Sequence, residues 1–403
     1  MLTKKRLMSE RLRAWSLVAL IIFLPLSAWL VSLTGQNWVG LGRDLLLAIF
    51  MLLSLANWRS LHRPAAATWL ATAFVLLVLA SYFYRQDSTE QWLRGVRYLI
   101  EPLLLFTTIQ MFPISESRQI LWRTLAAATC LVVIGAVIEF FAPQLLRATI
   151  DATGRGYLGQ IHQAATLTRL QSTLAGPNAL GLFMMVSLLL WPVWSKIIPR
   201  NLAIGSGVLG LLVILLTFSR SSYLGLFIGV LALLVAGRAL LKGYTKPLAV
   251  GLLVTVVLIG GLYILQPQTL TRNNSNNVRI EQYQRLWNDK EQIGWWGRCA
   301  GAAGLVSVDR LDGGPNFYTE NSYLDAYEAV GLLAALAYLG FWISLVWSLL
   351  RTRNTTSIAV GATVLGLAIA GIFINHYTGQ AAIWLALLFA GLTVAEKPTP
   401  GQD

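Results

Sequence analysis

Between Trp15 and Ala395 the chain repeats one device, an apolar run closed by a short polar turn. A helix needs roughly 20 apolar residues to cross a bilayer, because in hydrocarbon every backbone N–H and C=O must be satisfied within the element itself. Runs of that kind lie at Trp15–Leu33, Trp38–Ala56, Ala65–Tyr84, Arg94–Phe112, Leu121–Ala142 and Leu174–Trp194. Others follow at Asn201–Phe218, Ser221–Ala236, Pro247–Leu265, Tyr323–Leu350, Ser357–Asn375 and Thr378–Ala395. They predict an all-α, polytopic membrane protein of about twelve transmembrane helices, with residues 1–403 forming one integral membrane domain. Only 12% of the 403 residues are charged, against about a quarter in a soluble protein.

The net charge of +13 follows from topology rather than from a nucleic-acid partner, since Lys and Arg accumulate in cytoplasmic loops. With the N-terminus inside, the inner turns hold Arg59 and Arg63, Arg118, Lys196 and Arg200, then Arg238, Lys242 and Lys246, then Arg351 and Arg353. The outer turns TGQN (34–37) and NHYTG (375–379) hold no Lys or Arg. Both termini are thereby expected in the cytoplasm. The basic start MLTKKRLMSERLR reads as an uncleaved signal anchor, and the tail EKPTPGQD as a disordered end. Two longer polar loops, 143–173 and 266–322, fall outside. Long loops on a rigid scaffold tend to carry function. Cys130 and Cys299 lie in unlike surroundings and imply no disulfide. There is no HExxH, CxxC or P-loop, and Asp309-Arg310-Leu311-Asp312 reads as a solvated turn, so neither a metal nor a cofactor is expected.

Ionisable groups inside spans are expensive and are usually paired or functional. Arg43 and Asp44 occupy the second run, and Arg97 and Glu101 the fourth at i,i+4 spacing. They read as self-neutralising pairs or as the lining of a groove. Arg220, in LLTFSRSSYLG, falls at the outer face with almost no loop around it. It either snorkels or binds an anion such as a lipid phosphate. Arg169 stands seven residues before Gly176-Pro177-Asn178, which reads as a turn into the sixth run; it is a solvated charge or part of the same site.

In the long loop, Asn276 or Asn277 is suited to cap a helix starting near Val278. Arg279 would fall in its first turn, where a helix end favours anions. Ile280, Tyr283 and Trp287 mark an apolar face. Trp295 and Trp296 fit a glycan path or core packing. Glu320 ends the loop ahead of Asn321, Ser322 and Tyr323. As a helix cap it is a poorer choice than Asn321 or Ser322. As a carboxylate at the membrane boundary near arginines it suits a general base. His62 falls inside, His162 and His376 outside.

Four stretches together resemble the O-antigen ligase and polymerase superfamily of bacterial envelope glycosyltransferases: RLQSTLAGPNALGLF, LLTFSRSSYLGL, NVRIEQYQRLW and ENSYLDAYEAVGLLAALAYLG. The resemblance runs from about residue 165 to 345. It implies a GT-C-like fold in the bacterial inner membrane, with the active site on the periplasmic face. The implied donor is an undecaprenyl-pyrophosphate-linked glycan, the acceptor a glycan or lipid A-core hydroxyl. Transfer would be inverting and metal-independent, and membrane lipid and a chain-length regulator would be further partners.

Carried over by position, Arg220 and Arg279 would hold the pyrophosphate with help from Arg169. Glu320 would be the catalytic base. Asn178, Asn321, Tyr323, Trp295, Trp296 and His376 would contact substrate. The family's ligases carry His where this chain has Glu320, which favours the repeat-unit polymerases over the ligases and leaves His376 or the substrate itself as other bases. A transporter of lipid or polysaccharide is the reading from a different class. Transporters show internal repeats and midplane charges, whereas here the charges gather at one face.

Overall fold

The computed structural model describes residues 2–58, 61–84, 89–114, 117–143, 163–164, 167–238, 245–265, 273–304, 307, 317–352, 354–376 and 380–395. The described protein is all-α apart from one antiparallel pair of two-residue strands, β1 (Gln163–Ala164) and β2 (Leu167–Thr168). The first helices are α1 (Leu2–Thr34), α2 (Leu41–Leu55), α3 (Ala66–Tyr84), α4 (Thr89–Met111) and α5 (Arg118–Phe141). Next come α6 (Pro177–Leu189), α7 (Trp191–Trp194), α8 (Arg200–Leu216), α9 (Arg220–Ala236) and α10 (Thr245–Leu265). The remainder are α11 (Asn273–Asn288), α12 (Lys290–Ile293), α13 (Ser322–Val330), α14 (Leu332–Leu350), α15 (Thr355–Ala370) and α16 (Gln380–Val394).

Among the described residues, four helices are long and apolar enough to cross a membrane: Met8–Thr34 within α1, then α3, α5 and α14. Five further apolar helices, α6, α8, α9, α15 and α16, are shorter. Large apolar side chains such as Leu52, Leu76, Ile134 and Val235 face outward, a surface suited to hydrocarbon rather than water.

Local chemistry explains several helix ends. Pro177 opens α6 at its first turn, directly after Gly176, where its missing N–H is no loss. Asn321 and Asn354 cap α13 and α15 through their side chains.

Two expected spans are divided. The run 174–194 becomes α6 and α7. The run 323–350 breaks at Gly331, whose φ of 95° ends α13 before α14 begins. A side chain at Gly331 would collide with the Trp295 carbonyl. Glycine at that point lets the loop after α12 lie directly on the backbone, and the helix breaks there.

Packing follows small residues. Gly225 and Gly229 of α9, spaced as GxxxG, meet Gly366 and Ala362 of α15, and a Cβ on Gly225 would lie 2.6 Å from the Gly366 carbonyl oxygen. Small residues of this kind let helix backbones approach closely in the membrane. Gly181 of α6 is equally close to the start of α9, where a Cβ would lie 2.6 Å from Ser222 Oγ. Elsewhere α3 packs on α14, α4 on α16, and α1 on α2 and α5. The core is filled by Trp194, Trp342, Trp384, Tyr338 and Phe389, all fully buried.

Candidate functional site

The close approach of α6 to the α8–α9 turn builds the first part of the site. Arg169 is buried. Its Nε donates to the Thr217 carbonyl at 2.8 Å and a terminal nitrogen donates to Asn178 Oδ1 at 2.8 Å. Leu170 N–H reaches the Leu216 carbonyl at 3.1 Å. A helix leaves its last carbonyls without intrahelical partners, and here the segment after β2 supplies donors to the end of α8. The bond to Asn178 ties Arg169 to the entrance of α6. The turn they hold is tight, with Phe218 at a φ of 50°, and Arg220 follows it as the first residue of α9.

Arg220 is half-buried and donates to Asn276 Oδ1 at 3.0 Å. Burial disfavours its charge, Arg279 opposes it further, and Glu320 supports it. Arg279 in turn donates from Nε to Glu320 Oε2 at 2.7 Å, and its Nη2 forms an ion pair with the same oxygen. Glu320 N–H donates to Gln282 Oε1 at 3.2 Å. Asn321 Oδ1 accepts from Tyr323 N–H at 3.0 Å and Leu324 N–H at 3.1 Å. Asn321 is therefore the cap, and the Glu320 side chain is left for the arginine. Arg220 and Arg279 thus face one carboxylate from three separate stretches of chain, and Arg169 holds the turn that precedes Arg220.

Helix α11 begins at Asn273, earlier than expected. Asn276 is inside it and spends its side chain on Arg220. Arg279 lies six residues in, about 9 Å from the helix start, so it acts through its own charge and not with the helix end. The helix turns Arg279, Gln282, Arg285 and buried Leu286 towards the protein. Ile280, Tyr283 and Trp287 face outward and are exposed, so the expected apolar face is not a packing face among the described residues.

The remaining expected site residues lie further off. Trp295 and Trp296 are exposed, and Trp296 stacks on Tyr84 with ring centres 4.3 Å apart. They adjoin Gly331 at the far end of α13 from Glu320, a separation of about 13 Å for nine helical residues. Tyr323 sends its hydroxyl to the Ala368 carbonyl at 2.8 Å. His376 is fully buried. Its ring joins the Tyr338 hydroxyl at 3.0 Å and the Leu367 carbonyl at 2.8 Å. Burial pushes its pKa down to about 4, so the ring is neutral at pH 7 and committed to the core. His162, the 309–312 turn and the C-terminal tail lie outside the described residues.

Two neighbouring networks hold the site's frame. Fully buried Glu328 receives Arg285 at 2.9 Å and Arg298 at 3.5 Å, and Arg298 lies over the Phe317 ring. This fastens α11 and the loop after it to α13. Buried Asp325 accepts from Asn375 at 2.6 Å. Burial is the main cause that raises both carboxyls, Asp325 to about 8 and Glu328 to about 7. On α5, Glu139 Oε2 accepts from the consecutive N–H groups of Gln171 and Ser172 at 2.9 and 2.7 Å, fixing the strand-to-helix segment that carries Arg169. Sequence reasoning missed Glu139, Gln282 and Thr217 as site-positioning groups. Only Gln282, three residues after Arg279 on one helix face, left a signal.

The charges inside the helices pair among themselves. Arg43 bonds Glu101 at 2.7 Å and Asp44 at 3.1 Å, Arg97 bonds Asp44, and Arg43 also reaches Gln380 and the Trp384 ring. This is a self-neutralising network of two cations and two anions. Among the described residues no three His, Cys, Asp or Glu side chains are grouped to hold a metal ion.

The fold and site define an all-α protein with several membrane-length apolar helices and a cationic cluster where α8, α9, α11 and α13 meet. No family model matches the chain, and no curated protein matches it.

Proposed function

We propose that this protein is a multi-pass glycosyltransferase of the inner membrane that moves a glycan from a polyprenyl diphosphate to a sugar hydroxyl. The observation that carries this reading is the gathering of Arg220, Arg279 and Glu320 from segments 59 and 41 residues apart. Like charges held together in a partly buried site call for an anion, and two guanidiniums suit a diphosphate through charge-assisted hydrogen bonds. In the reaction the acceptor oxygen attacks the anomeric carbon while Glu320 takes its proton. The bond from that carbon to the phosphate oxygen breaks with inversion, and the lipid diphosphate leaves with its charge on Arg220 and Arg279. Fixed donors aimed at developing charge need no reorganisation during the step. On this reading about twelve helices span the membrane in a GT-C-like arrangement, with both termini inside. The site faces outward, and a growing glycan is the acceptor.

The test is reconstitution in detergent with an undecaprenyl-diphosphate repeat unit as the only substrate. A ladder of lengthening lipid-linked glycan is expected. Glu320→Gln and Arg220→Ala are each expected to lower the rate by roughly a hundredfold or more, the scale of losing one preorganised electrostatic group. Product formed only once lipid A-core is added would make it a ligase. Full activity in both variants would remove the roles given to these residues.

A further inference from the structure

Arg279 is already occupied. Its Nε and Nη2 both engage Glu320 Oε2, which is how a guanidinium takes an oxyanion. Asn321 is tied to the start of α13, and Glu320 N–H is held by Gln282. The backbone on both sides of the carboxylate is therefore pinned, and its side chain, 29% exposed, is the part able to move. Arg220 feels both partners. It donates to a neutral amide, Asn276, and the Glu320 charge supports both arginines.

Resting on the reading above, we propose that Glu320 is an internal counter-anion that stands in a phosphate subsite on Arg279 and is exchanged for the lipid diphosphate. Until the donor binds, the carboxylate shields Arg279 and has its own oxygen engaged. A diphosphate carries oxygens for both arginines, which lie close enough for their charges to oppose each other, and it displaces the carboxylate from Arg279. The released carboxylate then turns towards the acceptor hydroxyl, so the base is armed only when the donor is bound. After transfer Glu320 passes the proton it took to water, and the carboxylate so regenerated returns to Arg279 and competes with the lipid diphosphate product, which favours release. No covalent step is added. One carboxylate and one phosphate oxygen exchange places on one guanidinium.

The opposite idea is that Glu320 merely orients Arg279 for its ligand. The two differ in sign. A competing anion weakens diphosphate binding when present, whereas an orienting one strengthens it. The probe is farnesyl diphosphate, titrated calorimetrically into the full-length protein in detergent. Glu320→Gln and Glu320→Ala are both used, so that neither depends on one replacement's packing, and Arg279→Ala is the control. Both Glu320 variants are expected to bind farnesyl diphosphate about tenfold more tightly than the wild type, the scale of one charge-assisted hydrogen bond. Arg279→Ala is expected to bind it more weakly. Equal or weaker binding by both Glu320 variants, with the wild type still binding, overturns the exchange alone. If the wild type binds no farnesyl diphosphate, or Arg279→Ala binds as well as the wild type, the diphosphate site proposed above falls with it.

Discussion

At the scale of single residues, what a side chain does here depends on whether its partner is near in sequence. Asn321 as a cap is a local matter, settled by amides two and three residues ahead, and its residue type announces it. The partners of Arg220 and Arg279 lie 56 and 41 residues away, and no local rule names them. Burial adds a second effect that sequence cannot supply. Asp325 and Glu328, on α13 outside the four long apolar helices, have pKa values raised to about 8 and about 7, chiefly by burial. Below about pH 4 folded and unfolded chains both hold these protons. As pH rises from about 4 to about 8 the unfolded carboxyls ionise first, so the unfolded state gains and stability falls across that window. The melting temperature should therefore drop between pH 5 and pH 8. Asp325→Asn keeps an oxygen for Asn375 and removes that group's ionisation, so its drop should be smaller. Parallel curves for the two proteins would mean that Asp325 is ionised when folded.

At the scale of elements, the apolar runs made helices legible, but not where they stop. The break at Gly331 needed the approach of Trp295 from the loop after α12, a contact made across some thirty-six positions of chain. The start of α11 at Asn273 frees Asn276 for Arg220, whereas a helix starting near Val278 would have spent it on a cap. The crossing of α9 on α15 is set by Gly225, Gly229 and Gly366, and α9 carries Arg220. Gly225→Leu has no room beside the Gly366 carbonyl, which a Cβ would approach to 2.6 Å. Overpacking of this kind costs about 1–3 kcal/mol. The variant is expected to unfold at lower temperature in detergent and to lose transfer activity as Arg220 shifts. Gly205→Leu on α8, with open space around the glycine, is expected to do neither. Equal effects from both would mean that Leu is harmful on these helices regardless of packing.

At the scale of the whole molecule, the apolar pattern made the all-α class and the membrane legible, yet the described helices are not uniform. Helices α6, α8, α9, α15 and α16 have 13 to 17 residues. A 17-residue helix is about 26 Å long, a little short of a hydrocarbon core of about 30 Å. Short helices place their connecting turns near the membrane boundary, where Arg220 and the turn before it would meet lipid headgroups. The proposed orientation can be tested by labelling. Once Cys130 and Cys299 are replaced, Asn277→Cys on exposed α11 should react with an impermeant maleimide in intact cells. Thr352→Cys, exposed between α14 and α15, should react only after the membrane is opened. Labelling of Thr352→Cys but not Asn277→Cys in intact cells would reverse the placement of the site.

By itself the sequence determined what depends on near neighbours. Runs of apolar residues dictate helices, because a chain in hydrocarbon must satisfy its own backbone. Proline after glycine opens α6, and Asn at positions 321 and 354 caps the helices that follow. The sparse charges had to be paired or used, because ions are costly in such surroundings. Tertiary structure decided which charges meet: Arg43 with Glu101, Arg285 with Glu328, and Arg279 with Glu320. Those pairings depend on where helices cross and how closely, and glycine contacts such as Gly181 against Ser222 and Gly225 against Gly366 set that distance. Close packing fixes a single arrangement only after distant elements have come together, so a guanidinium's partner is a property of the folded molecule and not of its own stretch of chain.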